Sequence, residues 1–436
     1  MMKREKFSKV GFVLSCIGAA IGLGNIWMFP YRLGQYGGAA FLIPYFLFVF
    51  GLGTIGLMLE FSFGRKFKGG SSTGISKILK EKNVKLHGLI SIIPAIGLMG
   101  VFMFYNVVVG WILKYFNLSI TGEINKIDTA SYFDSFIGTP HTLIFNFIAI
   151  MITLLIVFLG VTKGIEKINK IIMPGLFVIF IILAIRSLTL PNAMEGVKYL
   201  LKPDFSFLLK PETWVMALGQ AFFTVSLNGC GMVVYGSYIG DDFDIPKSAF
   251  STAILDTLAA LLVSFVIMPA VFSFGLNPQA GPPLLFITMP TIFKSIPGGS
   301  VLIVVFFLSI LFAAISSSIN MLEGPVEALM QKTNLSRGKA SVLLSLSAFI
   351  LSIPLNLSMD NFSNFTDLMT IIVSPLAALL VAIIFLFVLG EDKALEEINL
   401  GSKFSLSNKF ILVSKYLFTL TTICVIVLGV AYGGIG

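Results

Sequence analysis

The sequence predicts an all-α polytopic membrane protein with eleven transmembrane helices in a single transporter-like domain, residues 1–436. Of its residues, 56% are hydrophobic and 12% are charged, whereas soluble domains carry about 25% charged residues. The mean hydropathy is +0.94, and the apolar residues form runs near or above the roughly 20 residues that cross a bilayer. Two of these runs are interrupted by glycine and polar residues, which predicts helices that open inside the membrane.

Eleven apolar runs follow one another along the chain. The first follows a short basic N-terminus but is too long for a signal peptide and has no small-residue cleavage site, so we interpret it as a span. Residues 275–297 are interpreted as a short re-entrant or lid-like helix pair. The predicted spans lie at about 8–33, 39–64, 88–117, 141–160, 165–186, 213–239, 247–274, 298–330, 338–357, 364–390 and 408–433.

The distribution of charge predicts the orientation of the chain. Residues 65–85 contain seven basic residues and one acid. Because cytoplasmic loops carry an excess of Lys and Arg, we expect this loop and the N-terminus in the cytoplasm. The odd number of spans then puts the C-terminus outside the cell (inner) membrane. The formal net charge of +8 reflects this topology, so no nucleic-acid partner is expected.

An internal repeat is visible in the hydropathy. Residues 8–186 and 213–390 each contain five spans, and each half begins with an interrupted helix. The interruptions fall at 18–25 and 224–231. Two broken helices in matching positions predict a 5+5 inverted repeat with a ligand site at the midplane, followed by an extra helix at 408–433.

Cysteine and histidine usage indicates no metal or redox chemistry. Cys16, Cys230 and Cys424 lie inside apolar runs and have no disulfide or metal-ligand spacing. The sequence has no recognisable His-, Cys- or Ser-based catalytic constellation. We therefore expect neither an enzyme nor an organic cofactor.

Several motifs of the chain resemble those of a known family. The chain resembles the neurotransmitter:sodium symporters, also called the SNF or solute carrier 6 family, over essentially its whole length. Eleven spans are typical of a prokaryotic subset, in which the chain is most similar to bacterial tyrosine transporters. The motifs are 22–31 (GLGNIWMFPY), 37–45 (GGAAFLIPY), 104–106 (FYN) with Trp111, 220–224 (QAFFT) with Ser226, 316–318 (SSS) with 322–324 (LEG), and 390–399 (GEDKALEEIN).

The resemblance implies two sodium sites. Unwound backbone carbonyls with Asn, Thr and Ser side chains supply the hard oxygens that the cation needs. From the residues alone, 316–318 favour a small-residue packing seam, and the resemblance reverses that interpretation. The implied ligands of the first sodium are Ala20, Asn25, Thr224, Asp256 and the substrate carboxylate. Those of the second sodium are the carbonyls of Gly18, Ile21 and Ala313 and the hydroxyls of Ser316 and Ser317.

Asp256 lies among apolar neighbours inside the seventh span, where an ionised carboxylate costs roughly 2.5–3.5 kcal/mol. An acid at such a position is functional by default, and the alternative is a packing role beside a polar neighbour. Many animal relatives bind chloride here, and the resemblance puts Tyr45, Gln220 and Thr224 around that position. We expect Asp256 to supply the negative charge itself, which makes transport chloride-independent and leaves proton coupling open.

The resemblance also implies a substrate site at the two breaks. Glycine stands at position 22, where amine transporters carry aspartate, and this favours an amino acid over a monoamine. Gly229 either leaves room for a large or aromatic side chain such as that of tyrosine or is simply a helix breaker, and Asn320 is a candidate partner for a phenol hydroxyl. The implied substrate-binding residues are Ala20, Gly22, Leu23, Gly24, Val101, Tyr105, Phe223, Thr224, Ser226, Gly229, Asn320 and Met321.

The implied outer gate departs from the family pattern. Asp367 matches the usual acid, but Met28 occupies the place of the arginine that would pair with it. That ion pair cannot form, which leaves Phe223 and Tyr105 to close the outer path.

The implied inner gate also departs from the pattern. Lys3 and Arg4 are expected to be its basic residues, with Tyr238 nearby. Gln331 stands where the family usually has an aspartate, and Glu327 is the alternative partner.

These features predict a sodium-coupled amino-acid symporter in the lipid bilayer, as a monomer or a homodimer. A small aliphatic amino-acid carrier, a non-transporting amino-acid sensor and a channel remain as alternatives. A channel would favour a continuous polar path over two helix breaks, and a sensor usually carries an added cytoplasmic domain.

Overall fold

A computed structural model describes residues 5–278 and 283–434, and the described elements are all helices. Short 3-10 turns at Glu123–Lys126 and Phe205–Leu209 lie in the connections. The helices are α1 (Lys9–Ala20), α2 (Gly24–Gln35), α3 (Ala39–Phe67), α4 (Ser71–Glu81), α5 (His87–Ile120), α6 (Thr129–Phe136), α7 (His141–Phe158), α8 (Val161–Leu188), α9 (Ala193–Leu201), α10 (Pro211–Thr224), α11 (Gly231–Gly236), α12 (Ile245–Ser273), α13 (Leu284–Lys294), α14 (Gly299–Lys332), α15 (Arg337–Leu357), α16 (Met359–Val388), α17 (Glu391–Asn399) and α18 (Asn408–Tyr432).

The all-helical membrane architecture is confirmed, although the count of eleven spans is not. Within the described ranges, nine helices are long and apolar enough to cross a membrane, and α1 with α2 makes a tenth span that is bent by 56°. The remaining predicted span, 213–239, consists of α10 and α11, and neither is long enough alone. In the predicted lid at 275–297, α13 is the described helix, and residues 279–282 lie outside the described residues.

The first break follows from the loss of helical hydrogen bonds after Ala20. Ile21 is extended, with φ −71° and ψ 99°, and the helix resumes at Gly24 with a π-helical turn. The Gly22 N–H turns to the Asn25 side chain, whose Oδ1 accepts at 3.2 Å. The break therefore leaves several carbonyls of α1 without their usual donors.

The second break, between α10 and α11, contains two left-handed residues. Ser226 has φ +57° and Gly229 has φ +67°, a conformation that stops a right-handed helix. The freed N–H groups of Asn228 and Gly229 donate to Oε1 of Glu60, at 3.2 and 2.8 Å. A carboxylate on α3 thus replaces the backbone acceptors that the helix would have supplied.

Close packing holds the two broken helices inside the bundle. α1 packs against α8, α12 and α14, and α11 packs against α3. A Cβ at Gly64 of α3 would lie 1.8 Å from the carbonyl oxygen of Val233, so the crossing of α3 and α11 requires glycine there. The outer faces of α7, α15 and α18 expose apolar residues such as Leu155, Ile350 and Val427, which suits contact with lipid.

Candidate functional site

A cavity lies between the two helix breaks and brings most of the predicted substrate residues together. The predicted residues that line it are Ala20, Gly22, Leu23, Gly24, Val101, Tyr105, Phe223, Thr224, Ser226 and Met321. The rest of the lining comes from Ala19, Gly219, Phe222, Leu227, Asn228, Ser317, Thr370, Ile371, Ser374, Pro375 and Val425.

Two predicted substrate residues do not line this cavity. A Cβ at Gly229 would lie 2.3 Å from the carbonyl oxygen of Ala377, so this glycine permits close contact with α16 and opens no room for substrate. Asn320 donates from Nδ2 to the Gly231 carbonyl at 3.1 Å and supports the start of α11. Both residues contact the second broken helix instead, which for Gly229 agrees with the helix-breaker interpretation.

The wall around Gly22 is tightly defined. A Cβ at Gly22 would lie 2.8 Å from both the Tyr105 hydroxyl and Ser317 Oγ. The Leu23 N–H donates to the same Tyr105 hydroxyl at 3.4 Å. Uncharged donors, the hydroxyl and the opened backbone, therefore meet at one point of the cavity, which is suited to a carboxylate.

One buried polar cluster joins α10, α12 and the start of α2. Asn25 donates from Nδ2 to Thr224 Oγ1 at 3.0 Å and to Asp256 Oδ1 at 2.8 Å. The Thr224 hydroxyl donates to the other carboxylate oxygen, Oδ2, at 2.8 Å. All three side chains are buried, and Asp256 is fully so. The cluster holds one formal negative charge beside the carbonyls of the first break.

A second cluster forms where Ser317 of α14 meets the first break. Ser317 Oγ lies 3.2 Å from the Gly18 and Ala19 carbonyl oxygens and 3.1 Å from that of Ile21. The Ala19 carbonyl also accepts from the Ser226 hydroxyl at 2.8 Å. A hydroxyl has only one proton, so Ser317 cannot satisfy the Gly18 and Ile21 carbonyls at the same time. Such a surplus of hard oxygens fits a cation.

Ser316 extends the second cluster. Its hydroxyl donates to the Ala313 carbonyl at 2.8 Å in the preceding turn of α14. The neighbouring Ser318 hydroxyl points elsewhere and donates to Asn106 Oδ1 at 3.0 Å. The three successive serines therefore divide between an oxygen cluster and a packing contact with α5.

The groups predicted around a chloride position separate into two sets. The Tyr45 hydroxyl faces Thr224, Thr257 and Asp256. Gln220 instead donates from Nε2 to the Gly24 carbonyl at 3.1 Å. The region closest to Asp256 is thus lined by hydroxyls.

Sequence reasoning missed a buried basic residue of α2. Arg32 is buried and donates from Nη1 to Gln220 Oε1 at 3.4 Å and to the Met216 carbonyl at 3.5 Å. It lies one turn after Met28. Asp367 is exposed and makes no ion pair within the described ranges. The sequence signal for Arg32 was a basic side chain four positions after Met28, which occupies the place of the expected arginine.

At the opposite end, α1 begins beside an ion pair of a fully buried acid, Glu323, and a half-buried base, Arg337. Arg337 donates two hydrogen bonds of 2.7 Å to the two carboxylate oxygens of Glu323. The Tyr238 hydroxyl donates to Glu323 Oε1 at 2.5 Å, and the Phe7 N–H donates to the Tyr238 carbonyl at 3.0 Å. The bundle is closed here by residues from four separate segments.

This arrangement differs from the predicted inner gate. It contains Tyr238, but its acid is Glu323, which the sequence analysis named in a motif and did not assign to a gate. Gln331 is exposed and Glu327 is buried. Lys3 and Arg4 lie outside the described residues. Glu323 and Glu60 are intramembrane acids like Asp256, so the argument applied to Asp256 would have found both.

Comparison with known proteins gives a consistent set of matches. The Sodium:neurotransmitter symporter family matches residues 4–135 and 133–432. An uncharacterised sodium-dependent transporter of Bacillus subtilis (strain 168) is 38% identical over 410 residues, covering 91% of this chain and 90% of the relative. The sodium-dependent neutral amino acid transporter B(0)AT3 of Mus musculus is 32% identical over 299 residues, covering 60% of this chain and 46% of that protein. The crystal structure of MhsT in complex with L-phenylalanine superposes with a TM-score of 0.86 at 33% identity, covering 98% of this chain and 99% of MhsT.

Proposed function

Because the chain belongs to the Sodium:neurotransmitter symporter family, we propose that it imports an amino acid together with sodium by alternating access. The family consists of sodium-dependent secondary transporters and not of enzymes, so the chain is a multi-pass membrane transporter that uses sodium. The observation that carries the proposal is the cavity bounded by both broken helices, with an oxygen cluster beside it at each of two positions.

The substrate is a large or aromatic amino acid. Its carboxylate would meet the Tyr105 hydroxyl and the opened backbone at Leu23, where Gly22 contributes no charge. The names of two similar proteins, a neutral amino acid transporter and MhsT bound to L-phenylalanine, support an amino acid. An apolar wall supports a large side chain, and it consists of Val101, Phe222, Phe223, Met321, Ile371 and Val425.

Two sodium ions bind beside the cavity. The first would be held by Asn25, Thr224 and Asp256 with the Ala20 carbonyl and the substrate carboxylate, which couples substrate binding to sodium binding. In the structure, Asn25 Nδ2 donates a hydrogen bond to Asp256 Oδ1. To bind sodium, Asn25 must give up this hydrogen bond and turn its amide oxygen toward the ion. The second would occupy the cluster of surplus carbonyls around Ser317, with Ser316 and Ala313.

The outer closure uses an Arg32–Gln220–Gly24 chain of hydrogen bonds in place of the ion pair expected by similarity. This chain links α2 to α10, and Phe223 of α10 lines the cavity. We propose that the end of the bundle at which α1 begins faces the cytoplasm and that the C-terminus lies on the outer side of the cell membrane. The basic residues of 65–85 support this orientation.

The first experiment is uptake of radiolabelled L-tyrosine into proteoliposomes with an inward sodium gradient, compared with a matched potassium gradient. We expect sodium-dependent accumulation that unlabelled phenylalanine and tryptophan suppress and glycine does not. Suppression by leucine or glycine alone would favour a small aliphatic substrate. Sodium-dependent binding without accumulation would favour a sensor, and the absence of any response to sodium would contradict the proposal.

Asp256 supplies the fixed negative charge of the site, and this can be tested by replacement. In the Asp256→Asn variant, uptake should fall roughly tenfold in chloride-free gluconate medium, equivalent to about 1.4 kcal/mol, and recover when chloride is restored. Wild-type uptake should be equal in both media because its charge is covalently attached. A wild-type protein that needs chloride at neutral pH would refute this role.

A further inference from the structure

Asn169 of α8 carries a buried oxygen with no partner. Its side chain is fully buried, and Nδ2 donates to the Ile165 carbonyl at 3.0 Å in the preceding turn. That hydrogen bond identifies the remaining amide atom as the oxygen. Among the described residues, Oδ1 accepts no hydrogen bond. A buried acceptor left unpaired costs about 1–3 kcal/mol, so this oxygen requires a ligand that protein donors do not supply.

The free oxygen lies beside the second oxygen cluster. A Cβ built on Gly18 would lie 2.4 Å from Asn169 Oδ1 and 3.1 Å from the Cβ of Ser316. Asn169 Oδ1 therefore lies against Gly18 and close to Ser316, two residues of that cluster. The hydroxyl protons available there are already used, since Ser316 donates to Ala313 and Ser317 to the carbonyls of the break. Asn169 Oδ1 is therefore one more hydrogen-bond acceptor beside a cluster that already has more acceptors than donors.

We propose that Asn169 is a further ligand of the second sodium ion, through its Oδ1 atom. The inference rests on the proposed function and adds a sixth oxygen to the five already considered there. A neutral amide oxygen is a hard donor that suits sodium and needs no deprotonation. Because Asn169 belongs to α8, the ion would connect α8 with α1 and α14.

Sodium titration of the purified protein in detergent tests this without relying on transport. The thermal unfolding midpoint is recorded against NaCl concentration, with choline chloride holding ionic strength constant and no substrate present, because an ion that binds the folded state raises that midpoint. Asn169→Ala should raise the sodium concentration for half of the stabilisation about tenfold, and Asn169→Asp should lower it because a charged oxygen binds the cation more strongly.

Asn356 of α15 provides a matched control. It is also buried, donates from Nδ2 to the carbonyl four residues earlier, Ser352, at 2.9 Å, and leaves Oδ1 without a partner among the described residues. Asn356→Ala should therefore change the overall stability without moving the sodium midpoint.

The outcomes separate the inference from the function. If the wild type responds to sodium and both Asn169 variants keep its midpoint, Asn169 is not a ligand and only this inference fails. If Asn169→Ala cannot be purified, an unchanged or higher midpoint in Asn169→Asp also overturns it. A wild type that shows no sodium stabilisation overturns the proposed function and this inference together.

Discussion

Individual side chains shape the wall of the cavity at the first break. Gly22 is needed because any side chain would meet Tyr105 and Ser317 at 2.8 Å. Tyr105 closes the same point with its hydroxyl, which already accepts the Leu23 N–H. The Tyr105 proton is thereby available for an incoming carboxylate.

Replacing Tyr105 with Phe should weaken amino-acid binding. Loss of one hydrogen bond to a charged group costs about 1.5–3 kcal/mol, which is roughly 10- to 100-fold in the dissociation constant. Equilibrium binding of labelled amino acid in saturating sodium measures this. Tyr115→Phe is the control because Tyr115 is equally buried on α5 but does not line the cavity. Equal losses in both variants would show that the effect is not local.

The second broken helix depends on an acceptor from another helix. Glu60 of α3 receives the N–H groups of Asn228 and Gly229 on a single oxygen. Without it, the buried Gly229 N–H and the part-buried Asn228 N–H would lose their acceptor. Gly229 also holds this break in place, since its left-handed conformation and its contact with Ala377 fix the turn against α16.

Glu60→Met should therefore lower stability much more than Glu60→Gln. Glutamine keeps an oxygen acceptor, whereas methionine leaves the buried Gly229 N–H unpaired, at a cost of about 1–3 kcal/mol, with a smaller cost at the part-buried Asn228 N–H. The thermal unfolding midpoint of the purified variants reports the difference. Equal midpoints would mean that the carboxylate does not support the break.

At the end where α1 begins, the Glu323–Arg337 pair with Tyr238 joins α14, α15 and the segment after α11. Removal of Arg337 leaves the fully buried Glu323 without its charged partner, which costs up to about 3–5 kcal/mol. Since the pair contributes only while this end is closed, that cost should shift the population toward an open inner path.

Cys16 gives a native reporter of this opening. It is fully buried on α1 and lies beside Tyr235. In a background with Cys230 and Cys424 replaced by serine, Arg337→Gln should increase the rate of maleimide labelling at Cys16 by about tenfold or more. Arg186→Gln, at a half-buried position of α8 whose guanidinium bonds Thr189 in a solvent-exposed contact, should leave the rate unchanged. An unchanged rate in Arg337→Gln would contradict a closing role for the pair.

Sequence reasoning reached the site because its strongest signals are local. Glycine and asparagine inside an apolar run identify a break, and one acid in a span identifies Asp256. It left two roles open for Gly229 because a broken segment has no helical periodicity from which the facing direction can be inferred. It missed Arg32, Glu323 and Asn169 because their roles depend on partners in other helices.

The sequence by itself determined the membrane architecture and the position of both breaks, since hydropathy and backbone conformation are properties of neighbouring residues. Only the tertiary structure decided which oxygens converge. Ser317 meets the Ile21 carbonyl across 296 positions of chain, and Tyr238 meets Glu323 across 85. Contacts of this range depend on how helices pack, and the identity of each residue alone does not specify them.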